Sequence, residues 1–144
     1  MATDNLVRML NAALALEHAA RIQYLAHAEL VKGPGAEPII ARLKEIAGDE
    51  EKHEGLFREC IAILGGEPTM KLAPVFEAKD VPQILKVNLK GEKDAIDFYN
   101  TIYEELKKSK ADLKYQFEYV EHRVRHVIMD EQEHAFELET LMGK

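Results

Sequence analysis

Apolar residues recur every three or four positions in four stretches of the chain, which is the period of an amphipathic helix. In the first stretch, for example, Leu6, Leu10 and Leu14 lie on one face. Long alternating runs of Val, Ile and Thr and Asn-Gly hairpin turns, which are typical of strands, are absent from the sequence. The pattern therefore predicts an all-α protein. Its helices are predicted near residues 4–32, 37–64, 81–108 and 112–142.

Glycine and proline separate these stretches. The segment 33–35 (Gly-Pro-Gly) follows the first stretch, and the segment 65–68 (Gly-Gly-Glu-Pro) follows the second. Glycine accepts the left-handed conformation at a helix C-terminus, and proline cannot continue a helix. Asp80 is predicted to cap the third helix, with Pro82 in its first turn.

The three links between the predicted helices differ in length. The first and third are short, so helices one and two form one hairpin and helices three and four form another. The middle link, about residues 65–80, reaches roughly 50 Å when extended, and a helix of about 28 residues is roughly 42 Å long. The prediction is one domain over residues 1–144, an antiparallel four-helix bundle with one long crossover between helices two and three.

Six charged or polar residues fall on the apolar stripes instead of on the outer faces. Each helix carries one inward carboxylate, and helices two and four each add a histidine three residues later. Counting from the turns places the members of each hairpin at nearly one level of the bundle. The six residues are Glu17, Glu50, His53, Glu92, Glu131 and His134.

Four inward carboxylates need a compensating charge. A buried unpaired carboxylate costs several kcal/mol, whereas a whole domain is stable by only about 5–15 kcal/mol. Two divalent cations would cancel four carboxylates, and a donor set of Glu and His suits iron or manganese. The alternative is a buried salt-bridge network, but the facing stripes offer few Lys or Arg partners. The pattern favours a dinuclear metal site.

The two halves of the chain repeat a motif. Residues 49–53 and 130–134 both read Asp-Glu-x-x-His, and a helix with one inward Glu precedes each. The repeat indicates a site with approximate two-fold symmetry. A metal-binding histidine usually donates its second N–H to a carboxylate, so Asp49 and Asp130 are predicted to hold the two imidazoles.

The sequence resembles the bacterioferritin and rubrerythrin branch of the ferritin-like superfamily over nearly its whole length. The matching segments are Ala15-Leu16-Glu17 running to Gln23-Tyr24, Asp49-Glu50 running to His53, and residues 64–68 (Leu-Gly-Gly-Glu-Pro). The resemblance implies that the six inward residues bind two iron ions. It also implies that Glu50 and Glu131 bridge the metals and act with a nearby Tyr24 in catalysis.

The family activity implied by the resemblance is oxidation of Fe(II) by dioxygen or hydrogen peroxide, for iron storage or detoxification. Glu51 stands where the haem-ligand methionine of bacterioferritin would be, which argues against haem. Only ten residues follow His134, so the short fifth helix of a bacterioferritin cage is not expected in this chain. Ala95 replaces the additional glutamate of rubrerythrin peroxidases. A rubrerythrin-like peroxidase, another di-iron oxidase acting on a small substrate, and a structural bundle with an inert metal are the alternatives.

Composition limits the kinds of molecule that the protein is expected to bind and the compartment in which it is expected. The net charge is −7, which disfavours nucleic-acid binding, and no apolar run approaches the length of a membrane span. One cysteine, Cys60, excludes a disulfide within the chain, and with no signal peptide a cytoplasmic location is expected. Large apolar residues off the main stripes predict at least a homodimer through helices one and two. Assembly into a larger cage is neither predicted nor excluded by the sequence. These residues are Leu16, Leu25, Ile40 and Ile63.

Overall fold

The computed structural model describes residues 2–144, which form four helices and no strand. The all-α prediction is therefore confirmed, as is the antiparallel four-helix bundle with one long crossover. Helices one and two pack against each other, as do helices three and four. The helices are α1 (Ala2–Ala28), α2 (Ala36–Ile63), α3 (Val81–Lys108) and α4 (Phe117–Leu141).

The crossover between α2 and α3 runs along α1. The backbone N–H of Thr69 donates to Asn11 Oδ1 (2.8 Å), that of Ala73 to the carbonyl of Ala15 (3.0 Å), and that of Phe76 to the side chain of Gln23 (2.7 Å). The crossover thus advances towards the C-terminal end of α1, so α3 begins at the opposite end of the bundle from the end of α2. The same path brings α3 alongside α1.

Two apolar clusters fill the bundle, one towards each end. The first includes Leu10, Phe57, Ile102 and Val124, and the second includes Leu43, Ile46, Ile84 and Leu138. Each cluster draws residues from all four helices. In every helix, the segments that form the two clusters are separated by the inward polar residues predicted from the sequence. The polar layer is consequently enclosed by apolar side chains above and below.

Helix ends agree with the predictions at the crossover and differ at the two hairpins. Asp80 caps α3 by accepting a hydrogen bond from the backbone N–H of Gln83 (2.9 Å), and Gly65 takes a φ of 83° after α2. In contrast, α1 ends at Ala28 and α4 begins only at Phe117. The apolar period extends beyond both helix ends because Val31 and Leu113 are buried although neither lies in a helix.

None of the helices in the described part of the chain has the length and apolarity needed to span a membrane.

Candidate metal centre

The six inward residues predicted from the sequence lie together in the middle of the bundle. Each helix contributes at least one of them, and all six are at most 3% exposed. No lysine or arginine within residues 2–144 forms an ion pair with any of them. The six are Glu17 from α1, Glu50 and His53 from α2, Glu92 from α3, and Glu131 and His134 from α4.

His53 faces three carboxylates through one ring nitrogen. Its Nδ1 lies 3.4 Å from Glu17 Oε1, 3.2 Å from Glu50 Oε1 and 3.3 Å from Glu131 Oε1. Ligand atoms of these four residues all lie within 4.8 Å of one another. One group of potential metal ligands is therefore built from α1, α2 and α4.

His134 forms the second group on the other side of the same carboxylates. Its Nδ1 lies 3.5 Å from Glu50 Oε1, 3.5 Å from Glu92 Oε2 and 3.1 Å from Glu131 Oε1. The imidazoles of His53 and His134 are stacked with ring centroids 6.0 Å apart. Glu50 and Glu131 belong to both groups, so they occupy the position between two potential metal ions.

The donor set fits two divalent metal ions. Each of the six residues has one buried side-chain atom without a hydrogen-bond partner, although such atoms are rare in folded proteins. Two ligand atoms each about 2.1 Å from one metal lie roughly 3.0–3.4 Å apart when the angle between them is about 90–110°. The imidazole-to-carboxylate separations of 3.1–3.5 Å match this spacing.

Two aspartates hold the outer nitrogens of the imidazoles. His53 Nε2 lies 2.8 Å from Asp130 Oδ2, and His134 Nε2 lies 2.9 Å from Asp49 Oδ2. The pairs cross between α2 and α4, so each Asp-Glu-x-x-His motif supplies the aspartate for the histidine of the other. An N–H donated to the aspartate leaves Nδ1 of each ring directed at the carboxylates.

Two buried tyrosines hydrogen-bond to Glu17 and Glu92, the carboxylates that each belong to one ligand group only. Each tyrosine lies on the helix that carries the other carboxylate. The Tyr24 hydroxyl donates to Glu92 Oε2 (2.6 Å), and the Tyr99 hydroxyl donates to Glu17 Oε1 (3.1 Å). The family resemblance predicted Tyr24 near the metals but gave no role to Tyr99. A signal was present, because Glu17 precedes Tyr24 and Glu92 precedes Tyr99 by the same seven residues.

Comparison with known proteins places this arrangement in a family. The model of the ferritin-like domain matches residues 7–144. The chain belongs to the ferritin-like family. No curated protein sequence matches it significantly.

Solved ferritin-like structures resemble the chain over most of its length. A ferritin-like diiron-carboxylate protein from Bacillus anthracis str. Ames is 28% identical with a TM-score of 0.88, and the match covers 98% of this chain and 97% of that one. The bacterioferritin of Desulfovibrio desulfuricans, described with its diiron site in different catalytic states, is 26% identical with a TM-score of 0.83 and coverage of 97% and 79%. The bacterioferritin of Rhodobacter capsulatus, described with a metal-free dinuclear site and haem iron, is 25% identical with a TM-score of 0.81 and coverage of 95% and 82%.

When no metal is bound, protons balance the charge of the buried carboxylates of the centre. Burial, together with the charge of Glu131, raises the pKa of Glu17 to about 7 and that of Glu92 to about 8. Burial opposes a charged imidazole, but the facing carboxylates outweigh it and raise the pKa of both His53 and His134 to about 11. Burial also opposes the charge of Glu131, yet contacts with the two imidazoles lower its pKa below the usual range. Metal ions must displace these protons.

A narrow cavity reaches the centre between α1 and α3, beneath the crossover. Its volume is about 80 Å³. The small residues Ala20, Gly91 and Ala95 line it, and Pro74 and Phe76 of the crossover lie over it. Its inner wall includes four of the six ligand candidates and both tyrosines. A route for small molecules therefore ends at the carboxylates.

Metal should stabilise the protein more at higher pH. Glu17, Glu92 and both histidines have pKa values above those of the unfolded chain, so the metal-free protein loses stability as the pH rises through 7 and 8. Metal binding strengthens over the same range because fewer protons compete. We expect the Tm difference between the Mn(II)-loaded and the EDTA-treated protein to widen from about pH 6 to about pH 8. A constant or narrowing difference would count against the buried ligand set.

Each tyrosine should support one of the two metal positions. Tyr99→Phe removes the hydrogen bond to Glu17, and Tyr24→Phe removes the one to Glu92. Loss of such hydrogen bonds to a ligand typically lowers metal affinity about 10–100-fold, so each variant should weaken one Zn(II)-binding step of the centre in a calorimetric titration. Tyr103→Phe is the control, because its hydroxyl contacts Glu121 outside the centre. Titrations of Tyr99→Phe and Tyr103→Phe that coincide would contradict the assignment.

Proposed function

We propose that this chain is a non-haem di-iron protein that oxidises Fe(II) with dioxygen or hydrogen peroxide, for iron storage or detoxification. Membership of the ferritin-like family supports a general role in iron handling. The observation that carries the finer proposal is the pair of overlapping ligand groups that share Glu50 and Glu131. Manganese is compatible with the same donor set.

The proposed roles follow from the contacts. Glu17 and His53 hold one metal position, Glu92 and His134 hold the other, and the two shared carboxylates lie between them. Two Fe(II) ions bring four positive charges to four carboxylates. When bound, the two ions would supply two electrons, which with two protons reduce one dioxygen to hydrogen peroxide or one peroxide to two waters.

The outer residues keep the ligands ready for this reaction. Asp130 and Asp49 accept the Nε2 protons of His53 and His134, so that each Nδ1 is free to bind a metal. Tyr24 lies close enough to serve in the reaction because its hydroxyl contacts a ligand carboxylate directly. The burial of the six ligand candidates keeps bulk water away from the atoms that would hold the metals.

The small volume of the cavity beside the centre favours a small oxidant over an organic substrate. Ligand pockets for drug-sized molecules typically measure about 300–1,000 Å³, whereas the cavity beside the centre measures about 80 Å³. Dioxygen and hydrogen peroxide fit this space. Ala95 lines the cavity where a rubrerythrin-type peroxidase would carry its additional glutamate, so we favour the ferroxidase over the rubrerythrin-like alternative.

The exposed apolar residues support at least a homodimer. Of the four residues expected at the interface, Leu25 and Ile63 are exposed, whereas Leu16 and Ile40 are partly buried against the core. Other large apolar side chains add to the exposed surface of α1, the turn that follows it and the crossover: Ile22, Leu30, Met70, Leu72, Val75 and Phe76. Glu51 is exposed on α2 and offers no sulfur ligand, so we propose that the assembly binds no haem.

Removal of a shared carboxylate should damage the reaction more than removal of an outer one. Glu131→Ala takes a ligand from both metal positions, whereas Glu17→Ala takes a ligand from one. We expect Glu131→Ala to lose the second bound metal and rapid aerobic Fe(II) oxidation, followed by the absorbance of the Fe(III) product. Glu133→Ala, an exposed neighbour, should behave as the wild type. Two bound metals and normal oxidation in Glu131→Ala would refute the shared role.

Size-exclusion chromatography of the oxidised product separates the two physiological roles within this proposal. Iron that elutes as a mineral in a large particle indicates storage. Iron that stays at two ions per chain in a small oligomer indicates oxidation without storage, as in detoxification.

The oligomeric state is a separate prediction. Leu25→Glu places a charge on the exposed apolar surface of α1 and should shift the protein towards monomer in light scattering at micromolar concentration. Phe136→Glu is the control, because Phe136 is also exposed but lies on α4. A monomeric wild type would exclude the interface, and a Soret band in the purified protein would exclude the non-haem assignment.

A further inference from the structure

A row of metal-binding residue types lies on the outer face of α4, outside the centre. His122, His126 and Asp130 follow one another at intervals of four residues, which places them on one side of the helix. The side chain of His126 is 53% exposed and that of Asp130 is 29% exposed. The rings of His122 and His126 are stacked, with centroids 6.5 Å apart and an interplanar angle of 18°.

One oxygen of Asp130 serves two histidines. Asp130 Oδ2 lies 2.8 Å from Nε2 of the buried His53 and 3.3 Å from Nε2 of the exposed His126. The second separation exceeds the roughly 2.7–2.9 Å of a charge-assisted hydrogen bond. It matches the roughly 3.0–3.4 Å between neighbouring ligand atoms of one metal ion. A carboxylate has about four lone-pair sites, so Asp130 can bind a cation and still accept the His53 proton.

The internal repeat does not account for His126. Asp49 corresponds to Asp130 and contacts the other buried histidine. One turn before Asp49, however, the chain has Glu45, whose carboxylate lies 3.6 Å from Arg42 Nε. The imidazole beside Asp130 therefore has no equivalent on α2, where the corresponding position is a carboxylate paired with an arginine.

The two arginines that lie between His122 and His126 in the sequence are already paired. Arg125 Nε lies 2.6 Å from Glu121 Oε2, and Arg123 Nε lies 3.7 Å from Glu59 Oε1. Arg123 also stacks on the ring of Tyr119. These pairs reduce the positive charge near His126 and Asp130, and the chain as a whole is acidic, with a net charge of −7.

We propose that His126 and Asp130 bind a divalent transition-metal ion at an outer site on α4, with His122 one turn away. A donor pair of imidazole and carboxylate selects ions such as Zn(II), Co(II) or Fe(II) over Mg(II) and Ca(II), which prefer oxygen ligands alone. This ion is additional to the two of the proposed di-iron centre. Asp130 connects the two sites, because the same oxygen orients His53.

Equilibrium binding of Zn(II) to the full chain tests the outer site. The wild type should bind one ion more per chain than His126→Ala. Glu45→Gln is the matched control, because Glu45 occupies the position on α2 that His126 occupies on α4, and this variant should keep the wild-type stoichiometry. Equal stoichiometry in the wild type and His126→Ala, or loss of the additional ion in Glu45→Gln, would overturn the proposal.

Side-chain NMR of the histidines identifies the ligand directly. Zn(II) should shift the imidazole signals of His126 in the wild type, and unchanged His126 signals at saturating Zn(II) would overturn the assignment. The outcome is separable from that of the di-iron proposal. A chain that binds a single Zn(II), lost in His126→Ala, would support the outer site and refute the dinuclear centre.

Discussion

The rest of the structure depends on the charge balance of four carboxylates buried in the middle of the bundle. Glu17, Glu50, Glu92 and Glu131 are enclosed between two apolar clusters, where an uncompensated negative charge is costly. Without metal, shared protons and two charged imidazoles balance them, as the raised pKa values of Glu17, Glu92 and both histidines indicate. In the proposed di-iron protein the same atoms would become metal ligands, so that cations replace these protons.

The aspartates and tyrosines that contact the ligand candidates lie on different helices from the residues they contact. Asp130 on α4 holds His53 on α2, and Tyr99 on α3 holds Glu17 on α1. Such contacts require α1 to pack against α3 and α2 against α4 at a fixed level. The long crossover provides this, because it follows α1 to the far end before α3 begins. The connection between helices two and three is therefore part of what builds the centre.

Local spacing predicted most of the fold and the inner residues of the candidate site. Helical periodicity located the four helices, and polar residues on apolar stripes located the six ligand candidates. Periodicity was less informative at the hairpins, since Val31 and Leu113 continue the apolar pattern from positions outside the helices. Periodicity also does not distinguish Tyr99 from a core residue, because an aromatic side chain has the same apolar signature whether or not its hydroxyl contacts a carboxylate. Periodicity also does not predict that His18 and His27 are buried. Both contact carbonyl groups of the crossover, and no helical pattern encodes these contacts.

The sequence alone determined which residue types point inward and at what level, because the side-chain direction in a helix depends only on position within the same helix. The tertiary structure decided how those residues are paired. It made Glu50 and Glu131 common to both ligand groups, crossed the two aspartates between the motifs and brought His53 to the oxygen of Asp130 that also faces His126. These relations depend on the separation and rotation of packed helices and on side-chain conformation, which local spacing does not specify.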